Sequence, residues 1–431
     1  MPFLPQLFPP VPLEEPSKSW ERKARVLKPK TDQDCPDCRE QIAAGKTSPT
    51  VCAKHILPWK LLKKKPGHPK TICTQGYFCP NPKCYYHLID DERLHALVGC
   101  GSNGTYEKIP KLLCNFCGAK FTARRDTPLY RLKTSSTKVA QVLHALAAGM
   151  DISDAEAVFE VSEMTIRTWL ARAGEHGQKL HQHFFTDLEL EHVQLDELRA
   201  EVKHSQQEVW VWTACEANNK IIPGLQVGPR TQAMAYAVIH ELKQRLKDLC
   251  VPIFSSDGLK HYFYALTAHF GFWHTSDDQK KPIWCLLPNF LYAQVIKQHR
   301  RFRLVKVEHR MLCGLLSEYI ARLKAHGLSG KINTAFVERA NLTIRQGVSK
   351  LTRRTWGPAQ YATELSEHLF WWSAYYHFAR PHESLRVKLA SPMPRKGKQR
   401  PIIYRKRTPA MAAGITAKRW SVLELISYPL P

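Results

Sequence analysis

Residues Asn333–Trp356 read NTAFVERANLTIRQGVSKLTRRTW, and the fold turns on how that run is interpreted. Val337, Ala340, Ile344, Val348 and Leu351 recur at helical spacing, so the run predicts an amphipathic helix laid on a core. Glu338 lies off that stripe. Arg345 follows two turns further along the same face, with Ser349 next, and Arg339, Lys350, Arg353 and Arg354 flank it. A carboxylate fixed on a rigid helix above several guanidinium groups suits metal-assisted chemistry on a phosphodiester backbone. The same residues also fit a solvated helix with an ordinary Glu–Arg face, and the rest of the chain has to separate the two.

Composition narrows the choice. The 431 residues suffice for two or three domains, and 44% hydrophobic content supports a sizeable core and excludes a disordered chain. Lys and Arg number 63 against 38 Asp and Glu, a formal net charge of +25. An excess of that size points to a polyanionic partner, with nucleic acid first. No apolar run approaches the roughly 20 residues of a spanning helix, and the first residues lack a signal-peptide pattern. A membrane partner is therefore set aside and a cytoplasmic location expected. Nine of the 13 cysteines fall between Cys35 and Cys117, while Cys215, Cys250, Cys285 and Cys313 stand singly. That distribution favours metal ligands over disulfides.

Upstream of the helix the chain divides into segments. Residues 1–34 hold seven prolines and few periodic apolar positions, which predicts an extended arm. Within 35–70, Cys35 and Cys38 precede Cys52 and His55, a pair of knuckles able to place three thiolates and an imidazole around zinc, and a basic linker follows. Within 71–125, Cys79 and Cys84 precede Cys114 and Cys117, with Gly118 placed to close a tight turn, which predicts a four-cysteine zinc ribbon. His87 is an alternative ligand there, and Cys73 and Cys100 are bystanders. Over 126–185 the pattern turns helical, with a capping box at Ser153–Glu156. A turn near Val161 and Ser162 then leads to a third helix, MTIRTWLARAG, with Ile166, Trp169 and Leu170 inward. This predicts a helix-turn-helix whose Thr165, Arg167, Thr168 and Arg172 face the DNA major groove; a plain helical bundle is the alternative.

Over 190–385 strands alternate with helices. Three successive strands, marked by Val193, Leu195, Val209, Val211 and Ile221–Val227, place Asp196 at the exit of the first. A helix follows, and then a strand from Val251 runs into Ser256, Asp257 and Gly258. An aspartate at the carboxyl end of a buried strand is a common place for a catalytic group in an α/β sheet. Tyr292–Val307, with five basic residues including Arg300, Arg301 and Arg303 and no acid, predicts a strand or hairpin along a DNA backbone or, equally, a solvated basic edge. In a mixed five-stranded sheet of this order, Asp196 and Asp257 lie on neighbouring strand ends, and the helix brings Glu338 over them. Three carboxylates so placed suit two Mg²⁺ ions about 4 Å apart. Glu197 and Glu308 are rival carboxylates, and Glu197, next to Asp196, should point to the opposite side of the strand. After the helix, Glu364–Phe378 predicts a helix with Trp371 and Trp372 in the core. Residues 386–431 predict a basic tail ending in an apolar segment that docks on a partner.

The run Ile332–Trp356, the run YHFARPHESL at Tyr376–Leu385, the strand-borne Asp196 and Asp257, and the ribbon and helix-turn-helix upstream together resemble bacterial DDE-type insertion-sequence transposases of the insertion-sequence-one-like group. The resemblance covers the chain from about Phe78 onward. It implies a ribonuclease H-like catalytic domain and two Mg or Mn ions held by a catalytic triad of Asp196, Asp257 and Glu338. It also implies strand cleavage and joining at terminal inverted repeats, in the cytoplasm of a bacterium and in association with its nucleoid. Two features depart from the group: the 81 positions from Asp257 to Glu338 require an inserted hairpin and helix, and the Cys35–His55 module has no counterpart. On this reading the partner is double-stranded DNA, with Arg345, Arg353 and Arg354 among its contacts, and pairing two DNA ends implies a homo-oligomer. A zinc-ribbon and helix-turn-helix regulator with an inactive catalytic domain is the rival, as is a nuclease that cleaves without joining.

Overall fold

In a computed structural model, the described residues are 56–62, 72–105, 107–275, 281–301, 303–353, 357–395 and 398–430. Cys35, Cys38, Cys52, His55 and Arg354 lie outside them, as does the 1–34 arm. The chain forms two compact units, 1–132 and 133–430, so the content is multidomain and mixed α/β.

In the first unit, helix α1 (Trp59–Leu62) accompanies an antiparallel sheet of β1 (Leu97–Asn103), β2 (Ile109–Cys114) and β3 (Lys120–Thr122), in that order. Its core is small and gathers around sulfur. Cys79, Cys84, Cys114 and Cys117 are buried with Tyr86, Leu97 and Leu112. Trp59, Tyr85, Tyr86 and Phe116 meet largely edge to face beside them, the favoured geometry for aromatic rings.

The second unit begins with three helices, α2 (Ser136–Ala147), α3 (Ile152–Phe159) and α4 (Glu163–Phe184). Ser153–Glu156 does not cap α3: the N-cap is Asp151, and the Ser153 hydroxyl, already inside the helix, bonds to the Asp151 carboxylate. Asp151 and Ser153 are both cap-forming residue types, and the helix starts earlier than the box requires. Helix α4 runs to 22 residues, about twice the segment expected, because its apolar face continues through Leu180.

A six-stranded sheet follows, from β4 (His192–Ala200), β5 (Val209–Glu216), β6 (Gly224–Gly228), β7 (Ile253–Ser256), β10 (Leu291–Arg300) and β11 (Arg303–Cys313), ordered β11-β10-β7-β4-β5-β6. The sheet thus has one strand more than expected. The basic run Tyr292–Val307 makes a long hairpin whose first strand lies inside the sheet, parallel to β7, and whose second becomes the exposed edge. Strands β4 and β7 are parallel to each other; β5, β6 and β11 are antiparallel to their neighbours. A separate short hairpin pairs β8 (Gly271–His274) with β9 (Ile283–Leu286). Helix α5 (Gln232–Arg245) and helix α6 (Lys260–His269) lie on one face of the larger sheet, where Tyr262 meets Trp212 edge to face. Helix α7 (Leu316–Ala325) packs Tyr319 and Leu323 against Ile253, Leu291 and Ala293.

The amphipathic run that carries Glu338 becomes helix α8 (Ala335–Gly347) and a 3-10 turn, Ser349–Leu351. Val348 between them is extended, so the stripe is carried by two elements instead of one, yet all five of its apolar residues are buried against β5 and helix α9 (Ala362–Ala374). Gly347 is required where the chain breaks: a Cβ there would meet the Trp372 indole at 2.0 Å. Trp371 and Trp372 are fully buried, as expected. Helices α4 and α9 approach closely at Gly174 and Gly177, where a Cβ would strike backbone oxygens of Glu367 and Phe370 at 2.3 and 2.5 Å. Trp371 Nε1 donates to the Leu143 carbonyl of α2 at 2.8 Å, so the three N-terminal helices are built onto the same core as the sheet.

After α9, a π-helical turn (Tyr375–Ala379) leads to the ribbon of β12 (Val387–Arg395) and β13 (Lys398–Arg405), then helix α10 (Pro409–Ala412) and helix α11 (Val422–Ser427). The expected basic tail is therefore a paired ribbon. The apolar segment after it docks within its own chain: Val422, Leu425 and Ile426 are buried, and His176 of α4 bonds to the Leu425 carbonyl at 3.0 Å.

Candidate functional site

Two clusters of ligand-type side chains stand out among the described residues: the four cysteines, and Asp196, Glu197 and Asp257.

In the cysteine centre the two knuckles converge. Gly118 adopts φ +78°, a left-handed conformation suited to glycine, and its N–H donates to the Cys114 carbonyl at 2.7 Å, folding the second knuckle. Sγ atoms of Cys79 and Cys117 lie 3.5 Å apart and those of Cys84 and Cys114 3.8 Å apart. A tetrahedral zinc with bonds of about 2.3 Å has sulfur–sulfur edges near 3.8 Å, so the residues present fit that ion. The Tyr86 N–H donates to Cys84 Sγ at 3.4 Å, and hydrogen bonding within the cluster, Cys114 first, holds the Cys117 thiol well below its ordinary range. His87 stands outside this group, whose four thiols already make a tetrahedral set; its Nδ1 bonds to the Cys79 carbonyl at 3.0 Å. Cys73 is exposed and Cys100 half-buried, both apart from the cluster.

The carboxylate cleft is built where β7 ends against the middle of β4: Asp257 follows the last residue of β7, whereas Asp196, expected at a strand exit, is the fifth of the nine residues of β4, which stays paired with β5 through Ala200. The pairing Leu195 with Ser256 across β4 and β7 puts Asp196 and Asp257 side by side just beyond it. With Glu338, Arg230, Lys260, His261, Lys297 and Thr334 they line an open cleft of about 660 Å³. Burial, then the charges of Asp257 and Glu197, push the Asp196 carboxyl up to about 7. Asp257 is also raised, by burial first, although its Oδ1 accepts the Leu259 N–H at 3.0 Å. Crowded, incompletely compensated carboxylate oxygens are the donor set that hard divalent ions take, so these residues fit Mg²⁺ or Mn²⁺.

Glu197 departs from expectation. It does face the α6 side of the sheet, where Tyr262 Oη donates to it at 3.1 Å and Arg230 forms an ion pair with it. Yet it brings an oxygen within 4.8 Å of Asp196 and Asp257, because Asp257 lies past the end of its strand and is reachable from both faces. Glu338 lines the same cleft but is outside that tight group; its Oε1 receives Thr334 Oγ1 at 2.6 Å and an ion pair from Lys297. Glu308 sits on the edge strand and pairs with Arg310 and Lys306.

Sequence reasoning overlooked the residues that aim the cleft. Gln194, buried two positions before Asp196, accepts the Phe336 and Val337 N–H groups through Oε1 (2.9 and 3.0 Å) and donates through Nε2 to Asn333 (2.9 and 3.1 Å). One side chain thus caps α8 and pins it to β4. Asn341, one turn after Glu338, donates to Asp196 Oδ2 at 2.9 Å. The available signal was slight, since Gln194 is one of five polar residues among the nine of β4.

The expected DNA contacts scatter. Arg300, Arg301 and Arg303 are exposed at the tip of the β10–β11 hairpin and do not line the cleft. Arg345 and Arg353 line a separate 220 Å³ hollow with Arg199 and Lys350. On α4, Thr168 and Arg172 are exposed, Thr165 shares a 2.9 Å bond with Ser162, and Arg167 is ion-paired with Glu163 and with Glu364 of α9. Arg167 is thereby committed within the fold. No helix among the described residues is long and apolar enough to cross a membrane. In comparison with known proteins, no family model matches the chain and no curated protein matches it.

Proposed function

We propose that the chain is a DDE-type DNA transposase of an insertion sequence, with a ribonuclease H-like catalytic domain that cleaves and joins DNA strands in the presence of Mg²⁺ or Mn²⁺. The observation that carries this reading is the placement of Asp196 on β4 beside Asp257 at the end of the parallel β7, with Glu338 across the same cleft. The sheet order, with β4 and β7 central and parallel and β5 and β6 antiparallel beyond β4, supports it. Divalent ions held by these carboxylates would lower the pKa of a nucleophilic oxygen and neutralise charge on the leaving one. The chain's own contribution is positional. Gln194 fixes the start of α8, Asn341 orients Asp196, and Arg230, Lys260 and Lys297 give the rim a positive field for a phosphodiester backbone.

The four-cysteine unit and α2–α4 would bind the element ends, the latter through Thr168 and Arg172, and the exposed basic hairpins would add affinity independent of sequence. Zinc would be structural. Double-stranded DNA is the partner, and a homo-oligomer would pair two ends. The test is incubation of the protein and Mg²⁺ with a supercoiled plasmid carrying its gene and native flanks, beside Asp257→Asn and Glu338→Gln. Cleavage with joining at repeated flanking sequences, absent from both variants, is expected. Binding without breakage under several divalent ions would leave the regulator instead.

A further inference from the structure

Strand β10 outruns its neighbour. It pairs with β7 only as far as Gln294 with Ser256, then continues three residues to Lys297, supported from there by β11 alone. Lys297 therefore overhangs the end of the sheet from which Asp257 emerges, and its ammonium group reaches across the cleft to Glu338 of α8. The other cleft carboxylates are held differently: Asp196 by the Asn341 amide, Asp257 by a backbone N–H, and Glu197 by Arg230 and Tyr262. Glu338 is thus the one paired with a flexible ammonium ion. Thr334 and Lys297 both engage its Oε1, so neither occupies Oε2.

We propose that Lys297 is an exchangeable counter-ion of the cleft, holding Glu338 while no divalent cation is bound and turning to a DNA phosphate when the carboxylate is given up to one. The inference rests on the metal-dependent reading above and assigns a positioning residue to it. Three features make the exchange cheap and directional. Lys297 and Glu338 side chains are 36% and 44% exposed, so the pair is solvent-screened and weak. A divalent cation outcompetes a single ammonium charge for a carboxylate that Asp196 and Asp257 also face. The released ammonium group is a compact charge on a long stem, suited to a phosphate oxygen entering the same cleft.

The experiment uses the full chain with zinc retained and measures free Mn²⁺ by its paramagnetic resonance signal without DNA, and separately the affinity for a DNA duplex with Ca²⁺ present. Lys297→Gln is expected to tighten Mn²⁺ binding by roughly threefold, the scale of one half-exposed ion pair no longer broken, and to weaken DNA binding by a similar factor. Lys297→Arg keeps the charge and should stay near the parent in both. Lys260→Gln removes a charge from the same cleft without touching Glu338 and should alter Mn²⁺ affinity less than Lys297→Gln. Opposite signs on metal and DNA are not produced by a structural role. Equal Mn²⁺ affinities in parent and Lys297→Gln, or equal gains in Lys297→Gln and Lys260→Gln, would overturn the counter-ion assignment. If Mn²⁺ binding is also unchanged in an Asp196→Asn, Asp257→Asn double variant, the metal-dependent reading itself falls.

Discussion

The cysteine centre and the carboxylate cleft hold ligand groups in opposite ways. The four thiols are buried, mutually within 4.8 Å, and drawn from two turns only 38 positions apart at their extremes. The carboxylates come from the middle of one strand, the end of another and a helix, spread over 142 positions; they open onto solvent, and the last of them is paired with a lysine. The first arrangement leaves no room for a substrate and suits an ion that supplies folding energy. The second opens onto a cleft with room for a further ligand. The core of residues 56–132 is small and gathers around the four thiols, so an ion bound there would add to its folding energy, whereas the sheet and the helices packed around the cleft bury apolar clusters of their own.

The sharpest way to break this contrast is Cys114→Ser. It should unfold the first unit outright, a loss of about 10 kcal/mol on the scale of structural zinc, while the second unit keeps its own melting transition, as calorimetry would record. A single shared transition lost in one step would contradict the contrast. Next, Glu338→Gln should lower Mg²⁺-dependent cleavage by roughly 10³-fold with the melting temperature of the second unit unchanged, since an exposed side chain adds little to the core. Gln194→Ala tests whether aim is separable from ligation. Removing both helix caps and the Asn333 clasp should cost roughly 1–3 kcal/mol in urea unfolding and reduce cleavage although every carboxylate remains.

The smallest effect is in pH. The Asp196 carboxyl is raised to about 7 from an ordinary value of 3.8, so between those values the folded state binds the proton more readily than the unfolded chain. Stability of the Mg²⁺-free protein should therefore fall as pH rises from about 4 through 7, and Asp196→Asn should remove that share of the slope. At pH 8, with zinc retained and Mg²⁺ absent, Asp196→Asn should melt roughly 2–6 °C higher than the parent. A lower melting point for the variant would mean that Asp196 is compensated by a group not among its described neighbours.

The two sites were unequally legible in the sequence. Cysteine spacing carries its own geometry, so Cys79, Cys84, Cys114 and Cys117 group together on spacing alone, whereas His87 is set aside only by its place outside that group. Asp257 was legible because a strand pattern stops there; Asp196 was legible as a strand-borne carboxylate, but the charged Glu197 and Arg199 concealed that β4 runs on to Ala200. What escaped were residues whose role depends on a partner far along the chain: Gln194 with Asn333, Asn341 with Asp196, Lys297 with Glu338. None leaves a periodic trace. The stripe from Val337 to Leu351 concealed the break at Val348 because a 3-10 turn keeps the apolar side inward. The ribbon at Val387–Arg395 and Lys398–Arg405 was hidden by its prolines and by an irregular register between Lys388 and Met393, which erase the alternation of a paired strand.

The clasp of Gln194 on Asn333 also sets an order in time. The two residues are 139 positions apart, so on a ribosome adding about 5–20 residues each second, β4 waits roughly 10–30 s for the helix that completes its end of the sheet. The cysteine turns close long before. A nascent chain thus closes its cysteine turns first, and its cleft stays incomplete until a little over three quarters of the polypeptide has emerged.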